Sequence, residues 1–219
     1  ENIYNQEITT TLGGFNPAYS NVLPYGDATP NRSGIFACGR YVLPNKNIVS
    51  NINAGLYSEV IGQGTENLRS FSNFKADLKF NFHQIFNGIK KTTFTVSYYK
   101  EKTAREGNDV EAINLKSNQI SANLNVEISN NFIGQLGFKN LSAVGNEILN
   151  NRDEFGVISG YDVKDFNQSD QILNTGVLYK FNENVYINLQ YTLWGVDFNS
   201  DVMNDYNFNR LFFVLSVKI

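Results

Sequence analysis

The chain has 219 residues and a formal net charge of −3, and 42% of its residues are hydrophobic, 18% charged and 14% aromatic. This length and composition favour a single folded domain, residues 1–219, exclude a disordered chain and give no footprint for nucleic-acid binding. The one cysteine, Cys38, excludes a disulfide framework and a cysteine-based metal site, and no run of roughly 18 or more apolar residues predicts a transmembrane helix.

Alternation of apolar and polar residues recurs along the chain and predicts ten β-strands. The strands are expected at 3–12, 34–43, 48–60, 70–82, 92–100, 117–128, 132–142, 171–181, 185–196 and 208–219. Strands of globular sheets typically have about five or six residues, whereas a tilted strand crosses a bilayer in roughly 9–11. The predicted lengths therefore favour strands that span a membrane.

The connections between these strands alternate between short and long. Those at 44–47, 83–91, 129–131 and 182–184 are short, those at 62–69, 101–116, 143–170 and 197–207 are mostly longer and polar, and 13–33 becomes the first long loop. Such alternation is expected when the turns lie at the periplasmic end of a barrel and the loops at the extracellular end. The sequence thus predicts an all-β, transmembrane, antiparallel up-and-down β-barrel of about ten strands, with short periplasmic turns and long extracellular loops.

Each predicted strand has one apolar and one polar face, as the segment NFKADLKFNF (73–82) illustrates. In a membrane barrel the apolar face contacts lipid and the polar face lines the lumen. The residues expected to face lipid are Phe74, Leu78, Phe80, Phe82, Leu124, Val126, Leu189, Phe213 and Leu215. The polar residues expected to face the lumen are Arg40, Glu59, Lys75, Asp77, Lys79, Asn123, Glu127, Lys139, Lys180, Gln190 and Arg210. The alternative is a soluble barrel or sandwich whose apolar faces pack inward.

A barrel of ten strands encloses a narrow lumen, so we expect oppositely charged side chains to pair there and fill it. In the alternative, Lys75, Asp77 and Lys79 line a conducting pore. Aromatic residues near the strand ends predict two interfacial girdles. The girdle residues are Phe82, Phe86, Phe132 and Phe181 by the turns, and Phe71, Tyr98, Trp194, Phe198 and Phe208 by the loops.

Residues suited to catalysis or metal binding are few. The single histidine, His83, lies in a predicted turn and gives little basis for Ser–His or Asp–His catalysis. Asp197, Asp201 and Asp205 are weak candidates for an oxygen-ligand Ca²⁺ site. The favoured interpretation for them, and for the acidic residues of 143–170 that include Asp170, is a set of solvated loops. We therefore expect no enzymatic activity and no cofactor.

The C-terminal residues DYNFNRLFFVLSVKI (205–219) resemble the last strand of bacterial outer-membrane β-barrels, with Ile219 where that family has an aromatic residue. The Asn-, Ile- and Lys-rich composition resembles that of outer-membrane proteins of the Bacteroidota. FNPAY (15–19) is similar to an element of small barrels linked to type IX secretion and gliding. The resemblance implies an outer-membrane location and reading of the last strand by the barrel-assembly machinery. Because the chain starts at Glu1 rather than Met, we expect a signal peptide removed before Glu1, with a trimmed chain as the alternative.

The expected function is that of an integral outer-membrane barrel acting as a non-enzymatic scaffold or interaction subunit of an outer-membrane complex. Its expected partners are outer-membrane lipid or lipopolysaccharide and other outer-membrane or periplasmic proteins, contacted above all through 143–170. The alternative function is a small channel or porin for ions or small solutes.

Overall fold

The computed structural model of the chain describes residues 31–62, 66–85, 90–108, 111–182, 184–199 and 205–217. Its elements are β1 (Arg32–Val42), β2 (Ile48–Glu59), β3 (Ser70–Asn81), α1 (Phe82–Ile85), β4 (Thr92–Arg105), β5 (Ile113–Ser129), β6 (Phe132–Arg152), β7 (Ile158–Lys180), β8 (Val185–Asn199) and β9 (Tyr206–Val217). Within these ranges, no helix has both the length and the apolar character needed to cross a membrane.

The nine described strands form one antiparallel sheet in which each strand pairs with its neighbours in sequence. Antiparallel strands can be joined by short connections, which is why alternating segments of this chain pair in simple chain order. The prediction of an all-β, up-and-down antiparallel architecture is confirmed. Within the described residues β1 and β9 are the edges of the sheet, and the strand expected at 3–12 and the loop at 13–33 lie outside them.

The two faces of the sheet have opposite polarity, and the apolar face is the exposed one. The exposed fractions of Ile35, Leu56 and Phe213 on the apolar face are 77%, 66% and 63%. On the polar face Glu59 and Asp170 are 2% and 0% exposed. A soluble sandwich buries its apolar face instead, so this distribution speaks against the soluble alternative.

The apolar face is confined to a continuous band, which we call the apolar belt. Its principal residues are Ile35, Tyr41, Ile52, Leu56, Phe74, Leu78, Phe80, Val96, Tyr98, Ile120, Leu124, Leu136, Phe138, Leu173, Val177, Leu189, Leu193, Phe213 and Leu215. The belt begins at the end of the sheet where β1 joins β2, which we call the turn end. It stops toward the opposite end, the loop end, where polar residues such as Lys100, Asn118 and Asn140 follow on the same face.

Several strands continue well past the belt at the loop end. β6 and β7 have 21 and 23 residues, and only 153–157 connect them. The prediction that 143–170 is a loop is therefore wrong, because backbone pairing continues after the apolar alternation has ended. Similarly, the expected loop 101–116 contracts to 106–112, and the expected turn 83–91 contains most of α1.

The predicted girdle at the loop end is also wrong for four of its five aromatic residues. Those on the polar face rather than the belt are Phe71, Trp194, Phe198 and Phe208. A shift of one residue along a strand moves a side chain to the other face, and each of these residues is one step out of phase with the belt. Tyr98, Phe132 and Tyr179 share the belt face, whereas Phe86 lies outside the described residues.

Candidate functional site

Near the turn end, the polar face is built from rows of directly paired residues on β5 to β9. The first, which we call the arginine row, is Asn123, Gly137, Asn174, Thr192 and Arg210. The next row toward the turns is Asn125, Gln135, Gly176, Gln190 and Phe212, and the next toward the loops is Ser121, Lys139, Ile172, Trp194 and Phe208. Because the side chains of a row point to one face, amide and hydroxyl groups from the four strands β5 to β8 form a common surface, beside which β9 places Arg210.

A cavity of about 410 Å³ lies over these rows. Two glycines make room for it. A Cβ at Gly137 would lie 2.8 Å from Asn123 Oδ1, and one at Gly176 would lie 3.1 Å from Gln135 Oε1. Because these glycines have no side chain, the neighbouring amides lie across them. Within the cavity wall Thr192 Oγ1 donates to Asn174 Oδ1 at 2.7 Å.

The cavity is positively charged. Among the described residues that line it, Lys139 and Arg210 are the ionisable ones, and no carboxylate is present. The guanidinium carbon of Arg210 lies 3.9 Å from the ring centroid of Phe212, which holds that cation against the sheet. The arrangement is suited to attract a small anion.

A second cavity of about 130 Å³ adjoins the first nearer the turn end and shares Asn125 with it. Lys91, Glu127 and Lys180 line this second cavity. On the other wall of the polar face, Lys75 Nζ lies 3.7 Å from Asp77 Oδ2. Thus at least one pair of opposite charges forms on this face, while cations outnumber carboxylates around both cavities.

The residues expected to face the lumen share one face of the sheet by register, and most of those expected to face lipid share the other. Arg40 is opposite Asn51, which is in turn opposite Asp77, so β1 carries the same polar face as β3. Phe82 lies in α1, where its ring stacks on Phe80 and Phe94 with centroids 6.2 and 6.5 Å apart.

Toward the loop end, the polar face gives way to a packed interior that contains apolar as well as polar side chains. Leu141 and Ala143 are 0% exposed, and Leu115, Ile172 and Val196 are also buried. The prediction of an interior filled by polar side chains holds only in part for this half, where Thr103, Ser117 and Gln168 are buried beside these apolar residues. At this end the belt face is mostly polar, so most apolar side chains are removed from water by packing on the inner face.

Three buried carboxylates accompany this packed interior, each with a donor. Glu59 accepts hydrogen bonds from Arg69 Nε at 2.6 Å and from the Arg69 backbone N–H at 2.9 Å. Glu101 accepts one from the Tyr99 hydroxyl at 3.0 Å. Asp170 accepts hydrogen bonds from Gln168 Nε2 at 2.6 Å and from Trp194 Nε1 at 3.2 Å.

The prediction that Asp170 belongs to a solvated acidic loop is wrong, since it is fully buried. Its sequence position already contained the signal that identifies its face. Counting back by two from Ile172, which is out of phase with the belt residue Leu173, places Asp170 on the inner face.

The other candidate residues do not come together as a reactive site. His83 lies in α1. Asp205 Oδ1 accepts a hydrogen bond from the Phe198 backbone N–H at 2.7 Å, and Asp201 lies outside the described residues. In the part of the chain that the structure describes, no group of three or more His, Cys, Asp or Glu residues could hold a metal ion.

A second candidate surface is the tip of the β6–β7 hairpin. Asp153 Oδ1 accepts hydrogen bonds from the backbone N–H groups of Phe155 and Val157 at 3.0 and 2.8 Å. Gly156 has a φ of 77°, a conformation that favours glycine. The resulting turn presents Phe155 and Val157 with 81% and 61% of their surfaces exposed.

No protein-family model and no curated protein sequence matches the chain. Three solved structures resemble it. In-vitro folded OmpT, an outer membrane protein of Vibrio cholerae, superimposes with a TM-score of 0.55 and 12% identity over 85% of this chain and 55% of that one. A mutant of OmpT lacking loop L8 gives 0.50 and 13% over 87% and 57%.

The siderophore receptor PiuA from Acinetobacter baumannii gives a TM-score of 0.46 and 10% identity over 84% of this chain and 38% of that one. The chain therefore spans about half the length of the two OmpT structures. It has the fold of bacterial outer-membrane β-barrels.

Proposed function

We propose that this chain is an integral outer-membrane β-barrel protein that acts as a non-enzymatic scaffold or interaction subunit. The observation that carries this proposal is the β6–β7 hairpin, which continues past the apolar belt and ends in exposed apolar side chains. Its proposed partners are other outer-membrane or periplasmic proteins and lipopolysaccharide.

The apolar belt supports the membrane location. On β5 the belt face is apolar from Ile120 to Ile128, a stretch of nine residues. A tilted strand needs roughly 9–11 residues to cross a bilayer. A band of exposed apolar side chains of this width is stable only against lipid or another apolar surface.

The hairpin supports an interaction role because it presents apolar surface on a defined turn. Phe155, Val157 and Tyr161 are exposed by 81%, 61% and 52%. Large exposed aromatic and aliphatic side chains of this kind typically act as anchors at protein interfaces. The proposal of a source in the Bacteroidota rests on the Asn-, Ile- and Lys-rich composition together with the resemblance at 205–219, and the proposed link to type IX secretion rests on 15–19.

The test replaces Phe155 with a photo-crosslinking amino acid in cells that produce the full chain. We expect one major adduct, whose second component is identified by mass spectrometry as a protein or as lipopolysaccharide. In a separate experiment without the crosslinker, the same partner should copurify in detergent with the wild type and not with Phe155→Ser. A crosslinker at Glu66, which lies in the β2–β3 connection, serves as the positional control. Identical adducts from both positions, or none from Phe155, would contradict the interaction role.

The polar cavities favour a second candidate function, a small channel for ions or solutes. The cavity of about 410 Å³ and the adjoining cavity of about 130 Å³ supply a wet path through the turn-end half of the polar face. The packed residues Leu141, Ala143 and Ile172 favour the scaffold, because they fill the inner face at the loop end. Steady conductance of the purified protein in planar bilayers would decide for the channel.

A further inference from the structure

We propose that the cavity over the arginine row is a binding site for a small oxyanion, a carboxylate or phosphate carried by a hydroxyl-bearing solute. Lys139 and Arg210 would bind the anionic group, and the surrounding amides would bind the hydroxyls. This inference concerns the turn-end half of the polar face and does not depend on what the hairpin contacts.

The first argument is the charge of the cavity wall. Lys139 and Arg210 line the cavity, and none of the other described residues in its wall carries a carboxylate. The two described ion pairs of the chain join Glu59 to Arg69 and Lys75 to Asp77 and involve neither cation. Two cations facing one polar space without a counter-charge lower the free energy of an anion placed between them.

The second argument is the density of uncharged hydrogen-bonding groups. Asn123, Asn125, Gln135, Asn174 and Gln190 all line the same cavity. Each amide offers both donors and an acceptor, so the set matches hydroxyl groups, which also do both. A purely hydrophobic solute would leave these groups without partners at a cost in free energy.

The third argument is the space itself. A volume of about 410 Å³ lies within the range of roughly 300–1,000 Å³ that small-molecule sites occupy. The space exists because Gly137 and Gly176 stand where larger residues would meet the amide side chains. On the loop side it is bounded by the row of Lys139, in which Ile172 is buried and Trp194 bonds to Asp170.

Trp194 provides an intrinsic probe because it is the single tryptophan of the chain. It is the next residue after Thr192 to point to the same face of β8, and it lies in the same row as Lys139. Binding in the cavity should therefore change its fluorescence.

The experiment titrates the folded full chain in detergent with glucose 6-phosphate, citrate and glucose while Trp194 fluorescence is recorded. Equilibrium dialysis of radiolabelled glucose 6-phosphate and of radiolabelled citrate gives a second, independent binding measurement. We expect saturable binding of at least one of the two anions and none of glucose. Lys139→Gln and Arg210→Gln should each weaken that binding by about tenfold or more, which is the value of one lost charge-assisted hydrogen bond.

Lys100→Gln is the matched control, because it removes the same charge from the opposite face of the sheet, just outside the belt. We expect wild-type affinity for this variant. The proposal is overturned if dialysis finds no saturable binding of either anion, if glucose binds as tightly as they do, or if Lys100→Gln weakens binding as much as Lys139→Gln. Circular dichroism separates loss of binding from loss of folding in each variant.

Discussion

At the scale of single residues, Glu59 is held by several hydrogen bonds from one partner. Its carboxylate accepts hydrogen bonds from Arg69 Nε and from the Arg69 backbone N–H, and its own backbone N–H donates to the Arg69 carbonyl at 2.9 Å. These bonds join the last residue of β2 to the residue that precedes β3. Since Glu59 is 2% exposed, the pair is well shielded from water, unlike most surface ion pairs.

Replacement of Glu59 by glutamine should lower the free energy of unfolding by about 2 kcal/mol, because a buried charge-assisted hydrogen bond is lost. The measurement is a urea unfolding titration of the protein in lipid vesicles. Glu66→Gln, at an exposed position in the same connection, should leave the unfolding midpoint unchanged. Equal midpoints for the two variants would show that the bonds around Arg69 do not stabilise the fold.

At the scale of elements, the turn between β6 and β7 depends on one side chain. Asp153 accepts the backbone N–H groups of both Phe155 and Val157, and the Gly156 N–H donates to the Asp153 carbonyl at 2.9 Å. A carboxylate that bonds to backbone groups two to four residues on stabilises such turns locally. The exposed tip is therefore held in one conformation by the turn itself.

Asp153→Ala should increase the rate of amide hydrogen exchange at Phe155 and Val157 by about fivefold, because each N–H loses an acceptor worth about 1 kcal/mol. Exchange measured by NMR in detergent micelles gives the result, with Glu154→Ala as the control. If exchange at the two amides were unchanged in Asp153→Ala, the turn would have to be held by other bonds.

A strand of the belt can be tested with two consecutive residues that face opposite ways. Leu136 is on the belt face of β6, and Gln135 is on the polar face. Leu136→Glu should lower the free energy of unfolding of the protein in vesicles by on the order of 2 kcal/mol, because a charge is placed against lipid. Gln135→Glu adds the same charge beside the cationic cavity and should fold as well as the wild type.

The measurement is the yield and urea midpoint of folding into vesicles for both variants. Equal tolerance of the charge at Leu136 and at Gln135 would contradict the assignment of the belt to lipid.

At the scale of the whole molecule, the inner face is divided into two zones. The turn-end zone is polar and contains both cavities along the polar face, whereas the loop-end zone is packed with buried residues such as Leu141, Ile172 and Val196. If the packed zone closes the barrel, the cavity opens toward the turn end alone. The arrangement is consistent with a scaffold that binds a small anion and does not conduct.

Replacement of packed side chains at the loop end by alanine should therefore open a path for ions through the barrel. We expect the double variant Leu141→Ala, Ile172→Ala to show stepwise conductance in planar bilayers where the wild type is silent. The control, the double variant Leu173→Ala, Leu193→Ala, removes a similar volume from the belt face and should remain silent. Conductance of the wild type equal to that of the double variant would place the barrier elsewhere or show that none exists.

Residue alternation by itself determined the strand content, the chain-order pairing and the two opposed faces, because the two-residue period of a strand is a local property. The same period identified the polar residues of the cavity wall, including Lys139 and Arg210. It did not find the extent of β6 and β7, since strand pairing beyond the belt needs backbone partners rather than an apolar pattern.

Only the tertiary structure decided that Asp170 is buried against Trp194, and that the inner face is packed at one end and open at the other. These features depend on register across several strands and on which side chains meet there. Neither is encoded in any one segment, because a one-residue change in register exchanges the two faces of a strand.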